Sequence, residues 1–211
     1  TLSMILREPR ARLSPSAVKT FASRNGSDAA LLVPYVAGSL PGAEPGDAVE
    51  LLIAVRAIGP RASSLEDVVR SKCSDSNAIV AIHAASAFVR IAPTQRYPRG
   101  VLLSYLSSDH PGYRWRAADA IAHTGVSDAQ WSQRLKELLK DDDVRVRVTS
   151  AFALWRVTKE PGIAFPVLVA SLTERDASLP TAFEYPSRMG DSHRAYAIQA
   201  IVDLGAAGRP A

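Results

Sequence analysis

Pairs of apolar residues recur along this chain at a fixed interval of 33 residues. Within each pair the two residues are four positions apart, which places both side chains on one face of an α-helix. The five pairs are Val36 and Leu40, Val69 and Cys73, Leu102 and Leu106, Leu135 and Leu139, and Leu168 and Leu172. The interval therefore predicts five equivalent helices, here called A helices, each burying the same stripe.

A second set of positions keeps the same interval and predicts a second helix, the B helix, in each repeat. Each of these positions is an alanine followed by a larger apolar residue: Ala54 and Val55, Ala87 and Phe88, Ala120 and Ile121, Ala153 and Leu154. A small residue beside a large one suits the close approach of two helices. We predict A helices over about 28–40, 63–73, 98–107, 130–140 and 163–173, and B helices over about 47–58, 78–91, 112–124, 144–158 and 192–204. A lone helix of the B class is predicted within 14–22.

The residues between the predicted helices agree with these boundaries. Gly and Pro follow successive B helices, as at Gly59-Pro60 and Pro161-Gly162, where they stop a helix. Asp, Ser and Asn lie between A and B helices, as in 74–77 and 141–143. We expect their side chains to accept hydrogen bonds from the free amides that open each B helix.

Composition narrows the class of protein. The chain has 211 residues, of which 47% are hydrophobic and 22% charged, values that exclude wholesale disorder. Its one cysteine excludes a disulfide framework and favours a reducing compartment, so we expect a cytoplasmic protein. No apolar run of about 18 residues is present, so no membrane span is predicted. Because the chain begins with Thr1 and ends inside a predicted turn, we expect a fragment of a longer repeat protein.

A helix pair of this length cannot cover its own apolar faces, so we predict that neighbouring pairs stack into an α-solenoid. The segments 108–121 and 141–147 resemble HEAT repeats of the short bacterial, PBS-lyase-like type: an Asp-containing turn, an apolar–Arg pair and an Ala-rich helix. The resemblance covers about 28–204 and implies an all-α fold, a right-handed superhelix of about five antiparallel helix pairs in one domain, 1–211. Ala48 and Ala81 replace the arginines Arg114 and Arg147, so the first two repeats depart from this pattern.

The interval lengthens to 47 residues between Ala153 and Ala200, which predicts an inserted loop over 176–190 in the last A-to-B turn. Insertions in repeat proteins lie in loops on one face, often the binding face. Phe183, Tyr185 and Arg188 in this loop are residue types that anchor interfaces. The alternative is a lid that folds back over the apolar edge of the last repeats.

Three cationic or titratable residues, Arg90, His123 and Arg156, also recur at steps of 33. B helices line the concave side of HEAT-like folds, so the resemblance implies that these residues form a positive stripe in the groove. Four more arginines would widen it: Arg114, Arg116, Arg147 and Arg194. The alternative is structural, because a cation near a helix C-terminus complements the helix dipole and an Arg after an Asp turn pairs with an Asp. We interpret Arg114 and Arg147 as structural first.

Residues that could carry catalysis are few. Cys73 occupies a leucine position of its repeat and is predicted to be a buried hydrophobe. The four histidines lack metal-ligand spacing, and no nucleophile elbow or phosphate-binding loop is present, so we expect no catalysis, cofactor or metal. Trp115 and Asp119, at i and i+4 with Tyr113 nearby, resemble the groups with which HEAT-like DNA glycosylases hold a cationic base. Packing of the tryptophan ring together with a solvated aspartate is the interpretation we prefer for this pair. That enzyme class, or a chromophore lyase, is the catalytic alternative.

The favoured interpretation is a non-catalytic binding module or scaffold for a protein partner. The predicted contact residues are Arg90, His123, Arg156, Phe183, Tyr185 and Arg188. The alternative partner is nucleic acid, because the net charge is +4 and arginines outnumber lysines 20 to 5. Salt sensitivity of binding separates the two partners.

Overall fold

A computed structural model describes residues 13–174 and 193–207, and within these ranges every regular element is helical and no strand occurs. The α-helices, numbered in chain order, are α1 Pro15–Asn25, α2 Val33–Ser39, α3 Pro45–Ile58, α4 Glu66–Lys72, α5 Ala78–Ile91, α6 Tyr97–Leu106, α7 Pro111–Ala122, α8 Ala129–Leu138, α9 Val144–Thr158, α10 Pro161–Ser171 and α11 His193–Ala207. Over the described part of the chain, no helix combines the length and the apolar character that a bilayer crossing requires.

The predicted positions of both helix classes are confirmed, with one difference in the first two A helices. There the chain first forms 3₁₀ helix, over Gly26–Leu32 and Gly59–Leu65, before α2 and α4. Each segment opens on a glycine with positive φ, +53° at Gly26 and +70° at Gly59. That backbone region favours glycine and turns the chain sharply out of the preceding B helix. These are the repeats in which the sequence departs from the arginine pattern.

The polar residues before the B helices cap them as expected. Asn77 accepts hydrogen bonds from the amides of Ile79 and Val80 at the start of α5, and Asp143 accepts one from the Arg145 amide at the start of α9. These bonds satisfy donors that have no partner within the helix.

The chain divides into two compact units, 1–104 and 105–211, with the boundary inside α6. In unit 1 the B helices α1, α3 and α5 pack each on the next, and α4 packs on α5. Ala54 and Ala87, the small residues of the repeat, are fully buried there beside Val55 and Phe88.

Unit 2 repeats this arrangement. The B helices α7, α9 and α11 pack in order, α8 packs on α9, and α10 packs on both α9 and α11. Trp115 of α7 and Trp131 of α8 are the largest fully buried side chains of this unit. Each unit is therefore a short series of packed helices with contacts local in sequence.

The predicted apolar stripe of the A helices is buried at its first position in every repeat, since Val36, Val69, Leu102, Leu135 and Leu168 are all inaccessible to solvent. The prediction that the second position is buried is wrong in the last two repeats, where Leu139 and Leu172 are only half-buried. Leu138 and Ser171 are buried instead. Leu138 and Ser171 lie three residues after the first position of the pair. Residues at i+3 and i+4 share one helical face, so these residues are buried in place of Leu139 and Leu172.

Candidate functional site

Two of the three predicted ladder residues, His123 and Arg156, both lie next to the Phe152 ring in unit 2. The His123 ring centroid is 6.3 Å from that of Phe152, and the Arg156 guanidinium carbon is 5.8 Å from the same centroid. We call the group formed by these residues and their neighbours the Phe152 cluster; its members are Asp119, His123, Phe152, Trp155, Arg156 and Tyr196.

Three consecutive B helices contribute to the Phe152 cluster. His123 caps the C-terminus of α7, and Asp119 lies one turn earlier on the same helix. Phe152, Trp155 and Arg156 are at i, i+3 and i+4 on α9 and so share one face. Tyr196 lies in the first turn of α11. The packing of α9 between α7 and α11 therefore assembles the cluster from residues far apart in sequence.

The floor of the cluster is aromatic and buried. Phe152, Trp155 and Tyr196 are only 5%, 7% and 8% exposed. The Phe152 ring packs against Trp155 at 5.6 Å between centroids and edge-on against Tyr196 at the same distance. Edge-to-face packing of this kind is favourable and fixes the rings in place.

Polar groups at the rim are held by hydrogen bonds. The Tyr196 hydroxyl donates to Oδ1 of Asp119 at 2.9 Å. Nδ1 of His123 lies 2.8 Å from the backbone oxygen of Asp119 and 3.8 Å from its Oδ1. Because a carbonyl oxygen only accepts, Nδ1 carries a proton, and Nε2 holds the lone pair when the ring is neutral.

Arg156 differs from Asp119 and His123, the other polar side chains on the α7 and α9 part of the cluster, because it forms no ion pair with any residue that the structure describes. Its guanidinium lies over both Phe152 and Trp155, at 5.8 and 5.9 Å from the ring centroids. Its Nε is buried and finds no hydrogen-bond acceptor among residues 13–174 and 193–207. A buried donor without an acceptor is costly, whereas Arg156 as a whole is only half-buried.

Arg90, the third ladder residue, belongs to the last turn of α5 in unit 1, and its side chain reaches the C-terminal end of α3. Its Nε donates to the Arg56 backbone oxygen at 3.4 Å, and its guanidinium packs over Gly59, just beyond the helix. A cation here complements the C-terminal end of the α3 dipole. Its placement matches the structural alternative for the ladder.

Arg114 and Arg147 also match their structural interpretation. Arg114 donates to the backbone oxygens of Ser108 and Asp109 and pairs with the Asp141 carboxylate. Arg147, 33 residues later, donates to the backbone oxygens of Asp141 and Asp142 and pairs with Glu174. Each guanidinium thus joins the turn before its own helix to an acidic residue of the following turn.

Trp115 and Asp119 do not form the open pair that a base-binding site needs. The Trp115 ring is 2% exposed and lies under the Arg116 guanidinium, 4.4 Å from the ring centroid. The Asp119 carboxylate is bound by Tyr196. The position of Trp115 in the core agrees with the packing interpretation and not with the base-binding alternative.

The remaining predicted residues are quickly placed. The insertion 176–190, with Phe183, Tyr185 and Arg188, lies outside the described residues.

Cys73 is buried as predicted, and its Sγ lies 3.4 Å from the Val69 oxygen. Burial raises the pKa of the Cys73 thiol from 9.0 to about 12, although the nearby Arg70 charge lowers it in part. In the described parts of the chain, no three His, Cys, Asp or Glu side chains converge on a metal-sized site.

Sequence reasoning missed Tyr196, Phe152 and Trp155. The last two had a signal, because an aromatic pair and an arginine at i, i+3 and i+4 mark one face of a predicted B helix. Tyr196 had none: its equivalents 47 and 80 residues earlier are Thr149 and Arg116, so no aromatic column runs through the repeats.

Comparisons of the chain with protein-family models, with curated proteins and with solved structures give no match.

Proposed function

We propose that this chain is a non-catalytic protein-binding module and that unit 2 contacts its partner through the Phe152 cluster. The observation that carries the proposal is the Arg156 guanidinium, which lies over two packed aromatic rings and has no ion pair within the described part of the chain. The partner supplies a carboxylate to Arg156, from an acidic side chain or a chain terminus, and an apolar group to the aromatic surface beside it.

The composition of the cluster supports this proposal. Trp, Tyr and Arg are the residue types that dominate binding energy at protein interfaces. The three rings are packed against one another, so little side-chain entropy is lost when a partner binds. His123 and Asp119 remain about a quarter exposed at the rim, where polar contacts set orientation and specificity.

We also infer that the helix pairs are HEAT-like repeats of an α-solenoid. Support comes from the packing of successive B helices within each unit and from the equivalent contacts of Arg114 and Arg147 at a 33-residue step. The right-handed superhelix and the single domain over 1–211 remain predictions from the sequence resemblance.

The proposal is tested by affinity capture from native lysate with quantitative mass spectrometry, using wild-type protein, Arg156→Ala and a matched control, Arg134→Ala. Arg134 is another half-exposed arginine of unit 2, paired with Glu137 on α8. We expect Arg156→Ala to lose at least one protein that the wild type and the control both retain. Circular dichroism must show that both variants are folded.

A binding constant for the retained protein then completes the test. We expect the Arg156→Ala variant to weaken it about tenfold or more, as for an interface hot spot. Arg156→Lys keeps the charge but loses the planar donors, and should recover only part of the affinity. Equal capture by wild type and Arg156→Ala would show that the Phe152 cluster is not the contact surface.

Nucleic acid is the alternative partner, but most arginines that would bind phosphate in unit 2 are engaged elsewhere. Arg114 and Arg147 bind backbone oxygens and carboxylates, Arg116 covers Trp115, and Arg194 donates to the Glu174 oxygen. A gel shift with duplex and single-stranded DNA and RNA at two salt concentrations decides the matter, since phosphate binding weakens steeply with salt. Salt-sensitive retention that Arg156→Ala abolishes would favour nucleic acid over protein.

A further inference from the structure

His110 caps the start of α7 with its imidazole ring. Nδ1 of this ring accepts a hydrogen bond from the Gly112 amide at 3.1 Å. An amide only donates, so Nδ1 holds a lone pair, and the proton of the neutral ring is on Nε2. Pro111, between the two residues, has no amide proton, and the Tyr113 amide donates to the His110 backbone oxygen at 3.0 Å. Because Gly112 is buried, its amide needs the acceptor that the imidazole supplies.

The cap belongs to a column of equivalent caps at the 33-residue step. Asn77 and Asp143 occupy the same position before α5 and α9, and each accepts from the amide two residues later, at 3.0 and 2.8 Å. An asparagine side chain does not titrate, and the pKa of Asp143 lies below its usual value of 3.8, so both remain acceptors near neutral pH. A free imidazole gains its proton between about pH 8 and pH 5. Of these three caps, His110 is therefore the one that a proton can remove in that range.

Gly112 makes room for a ring at this position. A Cβ on Gly112 would lie 2.8 Å from both Nδ1 and Cε1 of His110, which is closer than such atoms approach. The equivalent residues at the other two caps are Ile79 and Arg145, where the capping side chains are smaller than an imidazole. The ring also packs on Tyr113, with 4.8 Å between the two centroids. The glycine and the tyrosine together hold the ring over the opening of the helix.

Protonation of the ring has two effects at this position. An imidazolium has no acceptor, since both of its nitrogens donate, so the hydrogen bond from the Gly112 amide is broken. The ring also becomes positive at the N-terminus of α7, where the helix dipole is itself positive. Both effects act against the first turn of the helix.

The charges around the ring do not offset these effects. The titratable and charged groups of α6, of the turn before α7, and of α7 with its ion-pair partner are Tyr105, Asp109, Tyr113, Arg114, Arg116 and Asp141. Phenols are uncharged in this pH range, and Arg114 is paired with Asp141. The Arg116 guanidinium, which donates to the Gly112 oxygen at 3.1 Å, balances the Asp109 carboxylate. Among these groups, no net negative charge is left to hold an imidazolium in place.

We propose that His110 is a proton-sensitive cap and that its protonation opens the first turn of α7. The rest of the helix is held separately, because Arg114 binds the oxygens of Ser108 and Asp109 in the preceding turn and pairs with Asp141. The opening is therefore local: in acid the Gly112 amide loses its acceptor, while the arginine bridge stays closed. The proposal does not rest on the binding role of the Phe152 cluster.

Stability measured against pH tests the cap with matched variants. His110→Ala removes the cap, and we expect the Tm to fall by about 2 to 4 °C at pH 8 and to change little at pH 5, where the wild-type cap is already lost. The control is Asn77→Ala, which removes the equivalent cap that does not titrate. This control should lower the Tm by a similar amount at both pH values.

His110→Asn supplies an acceptor that acid does not remove, as Asn77 does before α5. Its Tm should equal that of the wild type at pH 8 and exceed it by about 2 to 4 °C at pH 5. Circular dichroism at each pH shows that the variants are folded before their Tm values are compared.

Nuclear magnetic resonance tests the tautomer and the local opening directly. At pH 8 the nitrogen chemical shifts of His110 should report a proton on Nε2. Protection of the Gly112 amide against hydrogen exchange should fall about fivefold between pH 8 and pH 5 in the wild type. The same protection should stay constant in His110→Asn.

Tm losses for His110→Ala that are equal at pH 8 and pH 5, or parallel curves of Tm against pH for the wild type and His110→Asn, would overturn the proposal. A neutral ring with its proton on Nδ1 would overturn the cap itself. None of these results bears on Arg156, whose capture experiment is read separately.

Discussion

Arg114 and Asp141 form a two-point ion pair: Nε lies 2.8 Å from one carboxylate oxygen and Nη2 lies 2.9 Å from the other. Both side chains are largely buried, at 15% and 7% exposure. The remaining donor, Nη1, reaches two backbone oxygens of the preceding turn, each at 2.9 Å. This geometry makes full use of the planar guanidinium.

Replacing Arg114 should therefore destabilise the protein strongly. In Arg114→Ala the Asp141 carboxylate stays buried without its counter-charge, and we expect a loss of about 2 to 4 kcal/mol in the free energy of unfolding. Arg114→Lys should recover only part of this loss, since an ammonium cannot serve both the carboxylate and the two carbonyls. Urea denaturation measures all three proteins.

The matched control is Arg134→Ala. Arg134 pairs with a half-exposed Glu137 on the surface of α8, and pairs of this kind contribute little to stability. Arg134 also donates one hydrogen bond, to the Leu106 backbone oxygen at 3.3 Å, so it makes fewer buried contacts than Arg114. A loss for Arg134→Ala as large as that for Arg114→Ala would show that burial and bidentate geometry are not what matters.

Acid should destabilise the protein through Asp143. Burial of this carboxyl raises its pKa, but the hydrogen bonds and the charge of Arg145 outweigh burial, so the pKa lies below its usual value of 3.8. The folded state then binds the proton less tightly than the unfolded state. The resulting stabilisation is present above the unfolded pKa and is lost as the pH falls through the folded pKa.

Asp143→Asn isolates this charge because asparagine still caps α9. We expect lower stability at pH 7 and a flatter decline between about pH 5 and pH 2, measured by urea denaturation at each pH. Arg145→Gln should flatten the same acid decline in the free energy of unfolding. The double variant should lose little more stability than either single variant. Additive effects would show that the two residues do not act as a pair.

Cys73 should be inert in the folded protein. Its thiol is buried and its pKa is raised to about 12, so almost no thiolate forms near pH 8. An aromatic disulfide reagent should react with less than one thiol per chain under native conditions and with one in urea. Rapid native reaction would mean that α4 opens readily.

The same shift predicts an alkaline effect. The unfolded thiol ionises near 9.0 and the folded thiol near 12, so stability is fully present below pH 9 and declines as the pH rises from 9 towards 12. Cys73→Ala removes this part of the decline at the cost of packing. Parallel alkaline denaturation curves for the two proteins would contradict the raised pKa.

Gly59 should resist substitution for two separate reasons. Its backbone, at φ +70° and ψ −139°, lies in a region that is almost restricted to glycine, and an added Cβ would stand 3.2 Å from Nη2 of Arg90. We expect Gly59→Ala to cost about 2 kcal/mol or more. Thermal and urea denaturation measure the loss.

Gly26 and Gly38 are matched controls for this effect. Gly26 has a similar backbone, but the only close atom is the Ala57 oxygen at 3.9 Å, so Gly26→Ala should cost less. Gly38 lies inside α2 with open space around it, and Gly38→Ala should be neutral or stabilising. An Arg90→Ala background should reduce the cost at Gly59 and leave the other two unchanged.

The repeat made the helices predictable. A 33-residue interval locates every A helix and every B helix before the insertion, because each repeat places its small and large apolar residues at the same contacts, as Ala120 and Ile121 do. The helix caps at Asn77 and Asp143 were equally predictable, because each depends only on backbone amides two or three residues later in the chain. Interactions that repeat or stay local can be inferred from one sequence.

The Phe152 cluster was only half predictable for the opposite reason. His123 and Arg156 follow the interval, but the Tyr196 hydroxyl reaches Asp119 across 77 residues and past an intervening helix. That contact depends on how α11 resumes after the insertion, which no periodic pattern encodes. The burial of Trp115 agrees with the packing interpretation, although an i, i+4 spacing alone does not tell which side of a helix meets solvent.

The arginine bridges of unit 2 have a mechanical consequence. Each guanidinium binds the turn before its own helix and an acidic residue of the turn that follows in the next repeat. A pulling force applied at one turn is therefore transmitted to the next turn and does not separate a single helix pair. Unit 1 has Ala48 and Ala81 at the corresponding positions, so the equivalent arginine bridges do not occur within residues 13–104. Its ion pairs between successive repeats join Lys19 to Glu50 and the exposed Arg61 to Asp28. When the chain is pulled from its ends, unit 1 should therefore unfold before unit 2, where successive turns are joined by the arginine bridges.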